Sequence, residues 1–307
     1  MSFSVALDPP WRRPRLGAGR VGGALLVLMT LCCFATLPWS LRHYDRQRLD
    51  EGMQLQPSSF AEPLGTDSLA RSMMWRCGLG GAISLGIGLA SAAISVVIGV
   101  TWGALSGYIG GGTDAVMMRI VDVLYGLPYV LLVVLLDLAL KPAVQAFMGA
   151  FMARDAAAGA ADVVTLLLAI GGISWLTMAR VIRGQVLSLR ARPFVEAARA
   201  CGTGSVRILL CHLLPNLVGP IIVYATLTVP VAILQESFLS FLGIGVQLPL
   251  PSWGNLAAEG MEHIHAIGQR WWLLLWPCLF LGMTLMALNF IGDALRERFD
   301  PRGSHRA

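Results

Sequence analysis

The chain has 307 residues but only one lysine. That lysine, Lys141, precedes Pro142. A phosphate-cradling P-loop needs Gly-Lys-Ser/Thr, so that backbone N–H groups and the ammonium converge on the anion. The polypeptide therefore carries no P-loop ATPase of its own, and any ATP-driven step belongs to a partner. His263 and His265 set two imidazoles two residues apart beside Glu259 and Glu262. No third ligand follows at zinc spacing, so no metal site is expected. Neither His-Glu-x-x-His nor Gly-x-Ser-x-Gly occurs, and no nucleophile–base pair stands together in sequence. Six cysteines (32, 33, 77, 201, 211 and 278) show no Cys-x-x-Cys spacing and mostly lie in or beside apolar runs. They read as small buried hydrophobes. The expectation is a chain with no catalytic residue and no cofactor.

Acids within apolar stretches come next. Asp122, Asp137 and Glu236 each fall in or near one. A charge at the centre of a membrane span costs about 2.5–3.5 kcal/mol on insertion scales, so such residues usually face a cavity or a partner. Asp122 and Asp137 lie near the ends, where water can solvate them. Glu236, in "VAILQESFLSFLG", lies deeper. It is open to two readings: a residue facing a transport pathway or pairing helices, or a plain interfacial acid.

The elements that hold these residues follow from composition. The chain is 56% hydrophobic and 13% charged, about half the usual charge of a soluble domain. Several runs reach the roughly 20 apolar residues that cross a bilayer core. The fold class is all-α: a polytopic helical membrane protein with six spans. They are expected at Val21–Leu41, Gly81–Trp102, Val121–Leu140, Val163–Val181, Leu217–Leu242 and Trp271–Ile291. The first, behind Arg12, Arg13, Arg15 and Arg20, is longer than a signal core and lacks a small-residue cleavage site, so it reads as uncleaved. The second is rich in Gly and Ala at three- and four-residue spacing and should pack inside the bundle. With the amino terminus inside, fifteen of the 23 basic residues fall on inner segments, and positive-inside bias puts both termini in the cytoplasm. The net charge of +5 lies at span ends and in loops, which speaks for anchoring and not for nucleic acid. The domain plan is a cytoplasmic tail 1–20, a first span 21–41, an outer loop 42–79, a five-helix core 80–292 and a cytoplasmic tail 293–307. In the outer loop, Thr66 or Asp67 is expected to cap a short amphipathic surface helix over Ser68–Arg76.

One inner segment is too elaborate for a connector. Residues 190–215 contain "FVEAARACGTGSVRILLCHLLP". Glu196-Ala197-Ala198 begins a short helix, with the acid where the helix dipole favours it. Gly202 stands where that helix should stop, because glycine takes the left-handed turn freely. "SVRILLCHLL" then runs into Pro215 and the fifth span. Ala197, Ala198 and Ala200 are expected to form one slim surface that a partner's groove can enclose. From the residues alone, an interfacial helix that merely connects two spans is an equal reading.

The pattern Glu-Ala-Ala, three residues, Gly, nine residues, x-x-Leu-Pro resembles the cytoplasmic EAA loop of binding-protein-dependent ABC import permeases. "GTDSLARSMMWR", "GYIGGGTDAVMMRIVDVLYGLP", "ARVIRGQVLSLRARPFVEAARACG", "HLLPN", "ESFLSFLGIGVQLPLPSWGN" and "NFIGDALRERFDPR" are similar, in order and spacing, to segments of the dipeptide and oligopeptide (nickel) branch. The resemblance covers about Pro63 to Arg302 and points to the second, C-type permease. Ala70 stands where the branch has glycine, and Ser72 where it usually has aspartate. The resemblance implies a type I ABC importer permease core of the MetI-like kind, in a bacterial or archaeal cytoplasmic membrane. It further implies a homologous second permease, two cytoplasmic ATPase subunits that use the ATP, and an extracytoplasmic solute-binding protein. By the resemblance, Glu196, Ala197, Ala198 and Gly202 would contact an ATPase, with Pro215 positioning the fifth span; Glu236 is the candidate pathway residue on its depth in the apolar run alone. The rivals are a stand-alone ion-coupled carrier, with Glu236 and Asp122 as relay residues, and an intramembrane enzyme. The sequence leaves the solute open among dipeptides, longer peptides, nickel chelates and other small solutes.

Overall fold

The computed structural model describes residues 16–49, 52–265 and 268–299. Most of the expected amino-terminal tail and residues 300–307 of the carboxy-terminal one lie outside them, and with these Arg12, Arg13, Arg15, Arg302 and Arg306 of the orientation argument. The described chain is almost wholly helical: α1 (Leu16–Ala35), α2 (Leu37–His43), α3 (Met73–Ile109), α4 (Gly111–Tyr125), α5 (Tyr129–Gly149), α6 (Arg154–Arg190), α7 (Pro193–Ala200), α8 (Ser205–Ile208), α9 (Leu214–Phe241), α10 (Trp253–Glu262) and α11 (Trp272–Phe299). A π turn, Leu209–Leu213, joins α8 to α9, and Ile264–His265 pairs with Gly268–Gln269 as a minimal antiparallel ribbon.

Among the described residues, five helices are long and apolar enough to cross a membrane, or six if the bent pair α1–α2 counts as one span. That pair bends by 49°. Pro38 in the first turn of α2 lacks an N–H for the carbonyl four residues back, which breaks the ladder there. The third expected span, Val121–Leu140, is corrected: it straddles two helices. Leu127 precedes Pro128, a position that disfavours the helical conformation, so α4 stops at Tyr125 and α5 starts at Tyr129. At 37 residues each, α3 and α6 run roughly 55 Å, well beyond the hydrocarbon core.

The glycine-rich second span lies at the centre of the bundle, as its small residues require. α3 packs along most of α6 and also against α9. A Cβ on Gly107 would sit 2.9 Å from the Arg183 carbonyl oxygen and 3.0 Å from the Val186 Cβ. Those distances are too short for any larger residue, so glycine here sets how closely α3 and α6 approach. Around this spine, Leu85, Ile233, Trp253 and Leu288 bury one core against α9–α11, while Ile182, Val186, Ile208 and Leu217 bury another towards the α7 end.

The surface helix expected over Ser68–Arg76 does not form. Asp67 Oδ1 accepts from the backbone N–H groups of Leu69 (2.9 Å) and Arg71 (2.8 Å), closing a tight turn, and Thr66 bridges Ser72 in antiparallel fashion. Asp67 is thus consumed by the turn and caps no helix. α3 begins at Met73, so Arg76 lies in its first turns and is fully buried. Its guanidinium holds both oxygens of Glu259 on α10, at 2.6 and 2.8 Å, and Asp67 at 2.7 Å. The two departures from the resembling branch have local explanations. Ala70 is buried with φ +57°, a left-handed conformation that favours glycine. Ser72 donates to Glu62, which also pairs with Arg48; an aspartate there would face that carboxylate.

Candidate functional site

The end of the bundle opposite the Arg76 network is built around α7. Pro193 opens the helix, where its fixed φ suits the first turn. Val195 is fully buried among Ile182 and Val186 of α6, Ile208 of α8, Leu213 of the π turn and Leu217 at the start of α9. Burying one valine contributes about 1.5–3 kcal/mol. The contact is informative because it ties one short helix to three others. Phe194, Glu196, Ala197 and Ala200 remain exposed. Ala198 does not share that face: it is half-buried against the Val195 cluster. The slim surface therefore consists of Ala197 and Ala200, with Glu196 and Phe194 at its margin. Ala197 and Ala198 are 100° apart on a helix, so one faces out while the other faces in.

Gly202 ends α7 as its position demands. Its φ is +75°, its N–H reaches the Arg199 carbonyl (2.9 Å), and the Thr203 N–H reaches the Ala198 carbonyl (3.0 Å). These are the two bonds of a Schellman cap, which satisfy carbonyls that the helix end leaves free. The chain then turns into α8. Pro215 lacks an N–H and its ring would crowd the Cys211 carbonyl of a regular helix. The π turn just before it widens the ladder at that point. Pro215 itself is exposed, and the buried residues that seat α9 are its neighbours Leu213 and Leu217.

Ion pairs brace α6 at the same end. Arg183 holds Asp114 of α4 through two bonds of 2.6 Å, and Ser106 of α3 donates to the same carboxylate. Asp114 lies outside the apolar spans, and the hydrogen-bonded guanidinium holds its carboxyl below the usual carboxylate range. Arg180 pairs with Asp122 at 2.8 Å and lies 4.0 Å over the Tyr125 ring. Asp122, read as solvated near a span end, is exposed and ion-paired. Asp137 is buried, and Lys141 near it binds Asp162 at 2.6 Å.

Between α4, α5, α6 and α9 lies a groove of about 630 Å³. Its polar lining includes Tyr125, Tyr129, Thr177, Tyr224, Thr228 and Gln235, and none of its described lining residues is charged. The Tyr129 hydroxyl donates to Gln235 Oε1 at 2.6 Å, joining α5 to α9. Glu236 does not line this groove. It is fully buried, with Ser240 donating to Oε1 (2.8 Å), Ser237 donating to Oε2 (3.2 Å), and Ser84 and Ser252 also within reach. Its carboxyl is thus hydrogen-bonded within α9, next to Ser84 of α3 and Ser252 at the start of α10. Sequence depth suggested Glu236, but depth does not give direction. The missed residues carried a signal: Tyr224, Thr228 and Gln235 stand at i, i+4 and i+11, one face of a helix.

Among the described residues, no group of three His, Cys, Asp or Glu side chains is placed to hold a metal ion. Glu259, beside the paired histidines in sequence, is taken up by Arg76; the His265 side chain lies outside the described ones. Of the six cysteines, all free, only Cys33 and Cys77 are buried. The expectation of buried hydrophobes thus fails for Cys32, Cys201, Cys211 and Cys278, which are exposed.

This helical bundle, with its long apolar helices, is a multi-pass membrane protein. The profile of the family described as "Binding-protein-dependent transport system inner membrane component" matches residues 99–305, and the chain belongs to that family. Its members are the permease subunits of ABC importers, not enzymes in themselves; the ATPase is a separate subunit. The chain is 39% identical over 284 residues to the oligopeptide transport system permease protein OppC of Haemophilus influenzae, covering 91% of this chain and 83% of that one. It is 39% identical over 302 residues to the dipeptide transport system permease protein DppC of Bacillus subtilis, covering 98% and 87%. With OppC of Escherichia coli it shares 40% over 281 residues, covering 91% and 86%.

Proposed function

We propose that this permease forms, with a homologous second permease, the pathway by which an ABC importer carries dipeptides or oligopeptides across a cytoplasmic membrane. Two cytoplasmic ATPase subunits bind and hydrolyse the ATP, and an extracytoplasmic binding protein delivers the solute. α7 is the coupling element, with both termini and residues 190–215 in the cytoplasm. One observation carries the reading: Val195 joins α7 to α6 and α9 in a single buried cluster, and those two helices also line the groove. An ATPase that moves α7 must therefore move two walls of the groove. Glu196, Ala197 and Ala200 make the outward contact, Ala198 and Gly202 hold the helix in place, and Pro215 belongs to the seat of α9. ATP binding shifts the gate by the difference in its affinity for the two states.

A groove lined by hydroxyls, an amide and apolar side chains suits a peptide backbone, whose N–H and C=O groups need partners wherever water is excluded. The stand-alone carrier finds no support here. Its two relay acids are committed elsewhere, Glu236 to serines and Asp122 to Arg180, on α9 and α4 respectively. The test is peptide uptake into proteoliposomes holding the purified complex. Uptake and ATP hydrolysis are expected only with the second permease, both ATPases and the binding protein present. Sustained hydrolysis or peptide uptake by this chain alone overturns the reading.

A further inference from the structure

Beside α7 lies a second cleft, of about 520 Å³, between the end of α3, the end of α6 and the turn into α8. Its walls are Leu105, Tyr108 and Ile109 from α3 and Val206 and Leu209 from the α8 segment; its polar groups are Arg190, Arg199 and Ser205. Arg190 Nη1 donates to the carbonyls of Gly107 (3.2 Å) and Tyr108 (2.9 Å), so the guanidinium is held at the mouth of the cleft. Its Nη2 and Nε, and the whole Arg199 guanidinium, have no hydrogen-bonding or ionic partner among the described residues. Between residues 180 and 216 there are six arginines and one acid, Glu196 on the exposed side of α7. Arg180 and Arg183 form ion pairs with Asp122 and Asp114; among the described residues Arg190 and Arg199 form none, Arg190 acting on Asp114 only from a distance.

The apolar part of the cleft continues a longer feature. Leu89, Val97, Leu105 and Ile109 are exposed large hydrophobics spaced by four or eight residues along α3. They follow the i, i+4 ridge of a membrane-crossing helix, which winds by about 40° every four residues, so that Leu105 and Ile109 share the face that ends at the two arginines. We infer that the cleft binds the headgroup of an anionic phospholipid, with the phosphate on Arg190 and Arg199 and the start of an acyl chain against Leu105 and Ile109. Charge complementarity selects the anionic headgroup, and the apolar wall of Leu105, Ile109, Val206 and Leu209 selects a lipid over free phosphate. Basic pockets between spanning helices on the cytoplasmic side are a recognised way of holding such headgroups. Tyr108, at the same level, suits the interface between hydrocarbon and headgroup. The bound lipid would touch Arg199 and Val206 on both sides of the Gly202 turn, and so would bear on α7.

The experiment uses the assembled transporter in nanodiscs of phosphatidylcholine, alone or with phosphatidylglycerol. Lipid retained after extraction is read by native mass spectrometry. The parental complex is expected to retain phosphatidylglycerol in preference to phosphatidylcholine. Arg199→Gln should retain about fivefold less, the weight of one arginine at an anionic surface, and Val206→Glu, which sets an acid in the cleft, should lower retention similarly. Arg20→Gln, an exposed arginine on α1, serves as the control for general charge and should match the parent. Variant complexes are compared at equal ATPase content. Retention at the parental level by both Arg199→Gln and Val206→Glu overturns the inference. Displacement of the lipid by inorganic phosphate would make this a free-anion site and also overturn it. So would protection of Val206→Cys from a membrane-soluble maleimide that depends on the ATPase subunits and not on phosphatidylglycerol, since the cleft would then be a protein interface.

Discussion

Replacing Gly202 by alanine isolates the conformational cost of the α7 turn. The added methyl meets no atom within 4 Å, so no clash contributes. What remains is φ +75°, which costs a residue with a side chain roughly 1–2 kcal/mol. A factor of 5–30 in the local equilibrium of the turn follows, since about 1.4 kcal/mol is tenfold. Gly204, two residues on, provides the internal comparison. A methyl there also meets nothing within 4 Å, but φ is −64°, so alanine is compatible and should be neutral or stabilise by about 0.4–1 kcal/mol. The two variants share composition, loop and exposure and differ in the sign of one dihedral. Hydrogen exchange of the Gly202 and Thr203 amides in the assembled complex reads the turn directly, because both donate in the cap. Gly202→Ala should speed their exchange about 5–30-fold and lower transport, with Gly202→Val lower still. Gly204→Ala should leave both near parental values. Equal behaviour of the two alanine variants refutes the argument that the left-handed turn positions α7.

Three further outcomes follow from the same physics. Ala70→Gly relieves a buried left-handed alanine and should stabilise the protein by about 1 kcal/mol, measured as a rise in thermal midpoint; no change or a fall contradicts the strain. Arg76→Ala removes a fully buried guanidinium from Asp67 and Glu259 and should destabilise by about 3–5 kcal/mol. The loop and α10 should become protease-sensitive together, and independent digestion of the two would show that the network does not join them. Gln235→Leu removes the amide that bridges α5 and α9 and should slow peptide uptake several-fold at unchanged ATPase content; parental uptake would place the pathway elsewhere.

Local physics made much of this molecule legible in advance. The Gly202 cap is decided by neighbours within five residues, and the Gly-Ala spacing of α3 is a direct record of how closely a second helix approaches. The breaks at Pro38 and Pro128 were equally local, yet hydropathy averaged over twenty residues passes through them, so the third span came out in the wrong register. The outer loop could not be read at all. Asp67 looked like a helix cap because its partners are distant: Arg76 completes the cluster only with Glu259, 183 residues away. Glu236 and Ala198 share another failing. Each was placed at the right depth or on the right helix, but the side of the helix it faces is set by packing against other elements.

The central claim is that α7 presents one face to an ATPase and buries the other against the helices that line the groove. Thiol cross-linking tests it most directly, in the assembled complex and on a background with Cys201 and Cys211, both exposed, changed to serine. Single cysteines are placed at Ala197 and Ala198, one residue and 100° apart. Ala197→Cys should cross-link to the ATPase subunit, and Ala198→Cys should not, because its side chain turns into the Val195 cluster. Cross-linking of both to the same extent, or of Ala198→Cys alone, would contradict the account.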